Sequence, residues 1–496
     1  MDRNGSEHRG GCDAGRAHGP KRRPSAARAP GSGGSYARAA HWSVAAPRTL
    51  ALRCRTVAAV PLADPTTRLG QLQRGHGRGV RRALVDGAAA HADLLACVLD
   101  DPRREPEFEA RARCYAELAM ALDLPTAPLF ERAGAPGAAL VAETLAGMWA
   151  LGAPAVRAFV ADDATDAAAL GVVVACLHDG RLAMPVDLSP RARAMWLRCA
   201  REHADCAAAA VRGERNPELA DLTTDELLEL GRDARHDRRD RLLGELCARG
   251  DEATRNRLFA TLRDDVVYGR VRLAARALGL CADDRPLALA EDLFARPDDG
   301  AEPSRRMDGV TRMRRSCLVE YVMHLPPPHA LAQARRWRGF GGYFDVAVGA
   351  VFREHATPAD REVLEAFVAG NAARDGGMAV IDELDALARL GDSRSAPLLV
   401  EVAATTPFSQ ARRRAVHALA MMPDAPGAQA ELHAALWDCE DETVADACSF
   451  LPTLDEAARA RIAALAASPL AARELRLRAA AGGGGAARGR PPPPPA

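Results

Sequence analysis

The stretch AVIDELDALARLGDSRSAPLLVEV, residues 379–402, decides the fold. In it Val380, Ile381, Leu384, Leu387 and Ala388 recur at three- and four-residue steps, which places them along one face of a helix. Gly391 and Asp392 break that run, and residues 396–402 open a second apolar stretch immediately after it. Two amphipathic helices joined by a tight turn make an αα-hairpin. A hairpin of this size has an apolar stripe too large to leave in water, so it needs a neighbour.

Moving outward, the same pattern recurs. Short turns followed by a helix start stand near Asp251, Asp283, Pro326, Thr357, Asp392 and Asp424, at spacings of 32, 43, 31, 35 and 32 residues, the period of two-helix repeats. The turns at Asp283 and Asp392 share a leucine-rich helix end, an Asp, and an Arg two residues later. Upstream, LAGMWALGAPAVRAFV from Leu145 shows helix, small-residue turn and helix again, and LPTAPLF from Leu124 reads as another start. Capping signals fall at the same places. Thr223 or Thr224 precedes DELLEL, with acids in the first turn where the helix dipole favours them. Thr357 precedes PADREVLEAF, combining a cap hydroxyl, a first-turn proline and an acid. Asp251, Asp283 and Asp392 are expected to cap helices or to bond arginines of the next repeat.

Composition agrees. Hydrophobic residues are 48% of the chain but aromatics only 4%, with the weight in Ala and Leu and short β-branched runs, a mixture that suits close-packed helices and disfavours a sheet core. The fold class expected is all-α: an α-α superhelix, a right-handed solenoid of stacked hairpins. Residues 1–62 and 469–496 are low in periodicity and rich in Gly, Ala, Arg and Pro. The first is read as a disordered basic extension or a mis-called start, the second as a flexible low-complexity tail. Between them lie an N-terminal helical-repeat region, 63–222, and a C-terminal region of helical-hairpin repeats, 223–468.

The pair LARLGDSRSAPLLVEV (387–402) and ARRRAVHALAMM (411–422) resembles the bacterial HEAT-repeat pattern, in which a helix ending in Leu-Gly-Asp leads to a second helix and then to an Arg-bearing, Ala-rich helix of the next unit. The segments DDPRREPEFEARARCYAEL (100–118) and LWDCEDET (436–443) are similar to stretches of large HEAT-repeat proteins of uncharacterised function from GC-rich bacteria. The resemblance spans roughly residues 65–465 and is specific from about 379 to 450. It implies an α-solenoid that mediates macromolecular contacts, and no substrate. The segment GGYF, 341–344, and the 43-residue unit depart from the pattern.

Charge narrows the partners. The formal net charge is zero, but residues 1–60 hold eleven basic and three acidic groups, so the body between the ends carries the compensating negative excess. An acidic body disfavours nucleic acid, because neutralising phosphates needs a surplus of cations on the binding face. The basic charge is almost all Arg, Lys21 being the one lysine, which reads as GC-rich, bacterial coding. Twelve scattered cysteines, none in a CxxC pair, fit buried positions in a reducing compartment. With no signal-like start and no apolar run of about 18 residues, a cytoplasmic location and no membrane contact are expected.

Candidate site residues are few. Arg335, Arg336, Trp337, Arg338, Phe340 and Tyr343 form a window with Phe344, holding four of the 21 aromatics interleaved with arginines, the residue types that dominate binding hot spots. They read either as that or as the filling of an irregular junction flanked by solvated arginines. Arg412 and Arg413, with Arg414, read either as an anion site or as a ladder of structural ion pairs. Trp437 reads as a core anchor. Cys199, His203 and Cys206 share one helix face, but three ligands on one helix do not complete a zinc site, and burial is the favoured reading. The glycine-rich RGHGRG at 74–79 lacks the spacing of a phosphate loop and is expected to be a loose helix or turn. No cofactor is implied. The sequence thus favours a non-catalytic scaffold for a protein partner. Two alternatives stand beside it: a HEAT-like DNA-binding or alkylpurine-glycosylase-type protein, and a HEAT-repeat lyase-like accessory protein.

Overall fold

The computed structural model describes residues 61–162 with a few internal gaps, scattered residues from 165 to 195, and residues 219–232, 236–296, 308–372, 377–451 and 453–482. Among the described residues every regular element is a helix and there is no strand. An N-terminal block holds α1 (Arg68–Gln73), α2 (Gly77–Asp86), α3 (His91–Leu99), α4 (Ala112–Ala121), α5 (Ala127–Arg132), α6 (Ala139–Ala150) and α7 (Pro154–Ala161). After it come α8 (Thr224–Gly231), α9 (His236–Arg249), α10 (Glu252–Asp264), α11 (Tyr268–Leu280), α12 (Arg285–Ala295), α13 (Gly309–Met323), α14 (Pro327–Trp337) and α15 (Tyr343–His355). The chain continues through α16 (Arg361–Asn371), α17 (Ile381–Leu390), α18 (Ala396–Thr405), α19 (Ser409–Ala420), α20 (Ala428–Ala435), α21 (Asp441–Phe450), α22 (Glu456–Ala467) and α23 (Arg473–Gly482).

From α10 onward the helices pair as hairpins, α10 with α11 through α22 with α23. The second helix of each hairpin packs on the second helix of the next, giving the unbroken row α11, α13, α15, α17, α19, α21, α23. Leu278, Leu318, Val351, Leu384, Leu419 and Val444 lie on successive members of that row and are all 0% exposed. Burying each such side chain stabilises by roughly 1.5–3 kcal/mol.

Local chemistry sets the helix limits. Asp251 accepts a hydrogen bond from the Thr254 backbone N–H at 2.7 Å, and Thr223 forms a capping box with Glu226. Thr357 does the same with Asp360 at a short 3₁₀ turn. Gly391, in the left-handed region at φ 62°, ends α17 where a side chain would be strained. Asp283 and Asp392 each accept from the backbone N–H and guanidinium of the arginine two residues on, Arg285 and Arg394. Asp101 and Arg103 repeat that Asp-x-Arg clamp in the N-terminal block. Here the arginine bonded lies in the same turn; Arg361 of the preceding unit adds a longer contact to Asp392, at 3.5 Å. Across the row, Tyr321 of α13 donates to the Asp283 carbonyl at 2.7 Å. Buried Arg315 donates to the carbonyl of Leu293 at 2.8 Å, satisfying the exposed end of α12.

The N-terminal block packs at sequence separations above 300 residues, an arrangement that serial stacking does not predict. The Cys439 N–H donates to the Gly75 carbonyl at 3.0 Å, Arg113 bonds Asp441 at 2.5 Å, and Arg461 reaches Glu117 at 3.2 Å. The cause is the RGHGRG string. Gly75 takes φ +71°, and a Cβ on Gly77 would stand 2.0 Å from the Ala434 carbonyl oxygen. Only glycine lets the start of α2 come this near the end of α20. No described helix is long and apolar enough to cross a membrane; α6 and α7 reach that length only as a pair bent by 108°.

Candidate functional site

The window around Trp337 divides into an inner and an outer half. Trp337 is 0% exposed and its Nε1 donates to Glu291 at 3.0 Å. Its ring meets Phe294 and Phe344 edge-on, with centroids 5.7 and 5.5 Å apart. Arg336 pairs with the same Glu291, Arg335 binds both oxygens of Asp360 at 2.9 Å, and half-buried Tyr343 lies under the Arg315 guanidinium at 4.8 Å. These residues knit α12, α14, α15 and the turn before α16 together. Arg338 and Phe340 point outward, Phe340 being 62% exposed with its edge on Phe344 at 5.2 Å. The turn carrying them needs Gly339, Gly341 and Gly342, all at positive φ.

Below this turn a groove of about 560 Å³ runs between α15, α16 and α17. Val348, Phe352, Leu364 and Phe367 give it apolar walls, Arg338 and Glu362 stand at its rim, and Asp345 and Glu383 add carboxyl groups. Glu383 is 3% exposed and its Oε2 has no hydrogen-bond partner. Burial, reinforced by the nearby charges of Asp382 and Asp345, pushes the Glu383 carboxyl up to about 8, so it is protonated at neutral pH. Burial also raises Asp345. Arg353 of α15 is engaged by Asp382 and Glu354 instead.

No family model, curated protein or solved structure matches this chain.

The arginine run on α19 leads to a second concentration of charge, at the seam between the N-terminal block and the last hairpins. Arg412, whose side chain is 1% exposed, grips Asp438 through Nε and Nη2 at 2.8 and 3.0 Å and donates to the Arg74 carbonyl at 2.6 Å. Arg413 reaches Asp446 at 3.3 Å and also pairs with Glu442; Arg414 reaches Asp385 at 3.5 Å. Arg111 is fully buried, with Glu109 at 3.1 Å and Glu440 at 3.9 Å. Burial pushes the Glu440 carboxyl up to about 7 against the pull of Arg111 and Arg412. The same burial, with the charge of Arg412, holds His76 down to about 4. These groups fasten the N-terminal block to the last hairpins. Trp437 is 8% exposed, with the Arg81 guanidinium 4.8 Å over its ring.

Cys199, His203 and Cys206 lie outside the described residues. Among the described residues no three His, Cys, Asp or Glu side chains gather as a metal site would need. Sequence reasoning passed over Asp345 and Glu383. The signal was present for the second: Glu383 falls three residues after Val380 and four before Leu387, an acid on the apolar face of α17.

Proposed function

We propose that the chain is a non-catalytic scaffold, an α-solenoid whose surface holds a protein partner at the turn and groove between residues 338 and 383. The observation that carries this reading is the outward placement of Phe340 and Arg338 beside an apolar groove, on a rigid frame of successive hairpins. An exposed aromatic and an arginine next to a recess are what a partner's anchor residues use, and a repeat frame presents them over a long surface. The acids Asp345 and Glu362 in the groove support a protein partner over nucleic acid, whose phosphates negative charge would repel.

The test is quantitative affinity capture with wild type and with a Phe340→Ala, Arg338→Ala double variant. Expected is loss of about tenfold or more in at least one captured protein, since removing a hot-spot pair costs about 2 kcal/mol or more. An unchanged captured set removes the turn's claim to function.

A further inference from the structure

A carboxyl group on the apolar face of a helix is costly unless something compensates it. In Glu383 the compensation inside the chain is incomplete. Its Oε2 has no hydrogen-bond donor, and Arg353, on the facing helix α15, is committed to Asp382 and Glu354. Arg361 of α16 is held by Glu362 and Glu365. Arg338 stands at the rim and is exposed. What lines the rest of the groove is mostly apolar, Val348, Phe352, Leu364 and Phe367, with the half-buried Asn371 beside them. A space of about 560 Å³ falls within the range that receives small organic ligands.

We propose that this groove binds a small organic cation, a primary amine on an apolar body, with its ammonium against Glu383 and Asp345 and its body along Phe352, Leu364 and Phe367. Each part of the ligand answers a feature of the groove. An ammonium supplies the donor that Oε2 lacks, and two carboxyl groups on α15 and α17 face the same space. An anion would meet the acids Asp345 and Glu362 and would find no charge partner in Glu383. A neutral alcohol would fill the apolar part and could donate to Oε2, but brings no charge to pair with a carboxylate. Because Glu383 is held protonated, binding exchanges a proton for the cation: the O–H bond of the carboxyl breaks, the proton passes to solvent, and the carboxylate pairs with the ammonium. The groups facing this exchange are Asp345 and Arg353 from α15, Glu362 from α16, Asp382 from α17, and Arg338 at the mouth. The inference goes beyond the scaffold reading: failure of partner capture leaves it standing, and failure of amine binding leaves the scaffold standing.

Three probes sharing one body test it on the full chain by titration calorimetry: 2-phenylethylammonium, 2-phenylethanol and 3-phenylpropionate. The expected result is saturable binding of the ammonium, about tenfold or more tighter than the alcohol, with no binding of the carboxylate. Repeating the titration near pH 6.5 in buffers of different ionisation enthalpy should show release of close to one proton per ligand. Glu383→Gln keeps the shape, should weaken the ammonium by about tenfold or more, and should abolish proton release; Asp345→Asn should weaken it by about threefold. Circular dichroism and melting of each variant report whether the fold is kept. The proposal is overturned by equal affinity for ammonium and alcohol, by Glu383→Gln binding within about twofold of wild type, or by no saturable ammonium binding up to about 10 mM.

Discussion

At the seam, Arg412 and Asp438 are both buried and meet through two hydrogen bonds, while Gly77 brings backbone against backbone to shut out water. In the groove, Glu383 is buried as deeply, yet open space lies in front of it and its Oε2 has no hydrogen-bond partner among the described residues. Two ways of handling a buried ionisable group thus occur in one chain. Pairing locks elements together, because breaking the pair strands a charge; leaving an acid unpaired beside a cavity costs stability and keeps a place for something else. The contrast separates fastening from recognition better than residue type does, since the arginine-rich α19 belongs to the first and an unremarked glutamate to the second.

The comparison predicts its largest effect at the seam. Arg412→Ala should cost about 3–5 kcal/mol in urea unfolding by stranding Asp438, whereas Arg412→Met with Asp438→Leu should recover most of that loss. A single variant as stable as wild type would show that the pair fastens nothing. Gly77→Ala comes next. Although alanine favours a helix, its Cβ would press on the Ala434 carbonyl oxygen at 2.0 Å, so a loss of about 3 kcal/mol is expected, with faster proteolysis between the block and α20. A neutral outcome would mean the seam is looser than its packing.

In the groove the sign reverses. The folded chain raises the Glu383 carboxyl from its ordinary 4.5 to about 8. The native state therefore binds a proton more tightly than the unfolded chain, and stability present below pH 4.5 is lost as pH rises toward 8. Glu383→Gln should escape that loss, melting higher than wild type at pH 9, by about 2–3 kcal/mol, and level with it near pH 4.5. Equal melting at pH 9 would place the acid in water. The smallest effect belongs to Phe340→Ala, which should change stability by less than about 1 kcal/mol because its ring is mostly exposed. Trp337→Ala, by contrast, should cost about 3–5 kcal/mol as a core deletion.

How far the sequence showed this can be traced through single residues. The hairpins were legible because Val380, Leu384 and Leu387 follow helical spacing and because Asp251, Thr223 and Thr357 are strong start signals; local chemistry of this kind survives in the folded state. The Asp-x-Arg turns at 283 and 392 were legible too, and the third, at 101, obeys the same rule. The seam was not. Arg74 and Arg111 lie more than 300 residues from Arg412 in sequence, and no periodicity announces a contact between Gly77 and Ala434. Within the window, spacing could not tell that Trp337 turns inward while Phe340 turns out, since three glycines at positive φ reset the direction of the chain between Trp337 and Tyr343. The groove stayed hidden for the same reason: its walls come from three helices, and only the misplaced acid at 383 marks it.

The contact between residues 74–117 and 405–470 also bears on how the chain acquires its structure during synthesis. Hairpins from α10 onward close over a few dozen residues and can form as they leave the ribosome. The early block must wait, with Arg111 and Gly77 lacking their complements, until the last hairpins emerge more than 300 residues later. At ordinary elongation rates of about 5–20 residues per second, that interval lasts tens of seconds. Over that time the earliest-made helices are the least protected part of the nascent protein, and the stretch on which a holding chaperone would act.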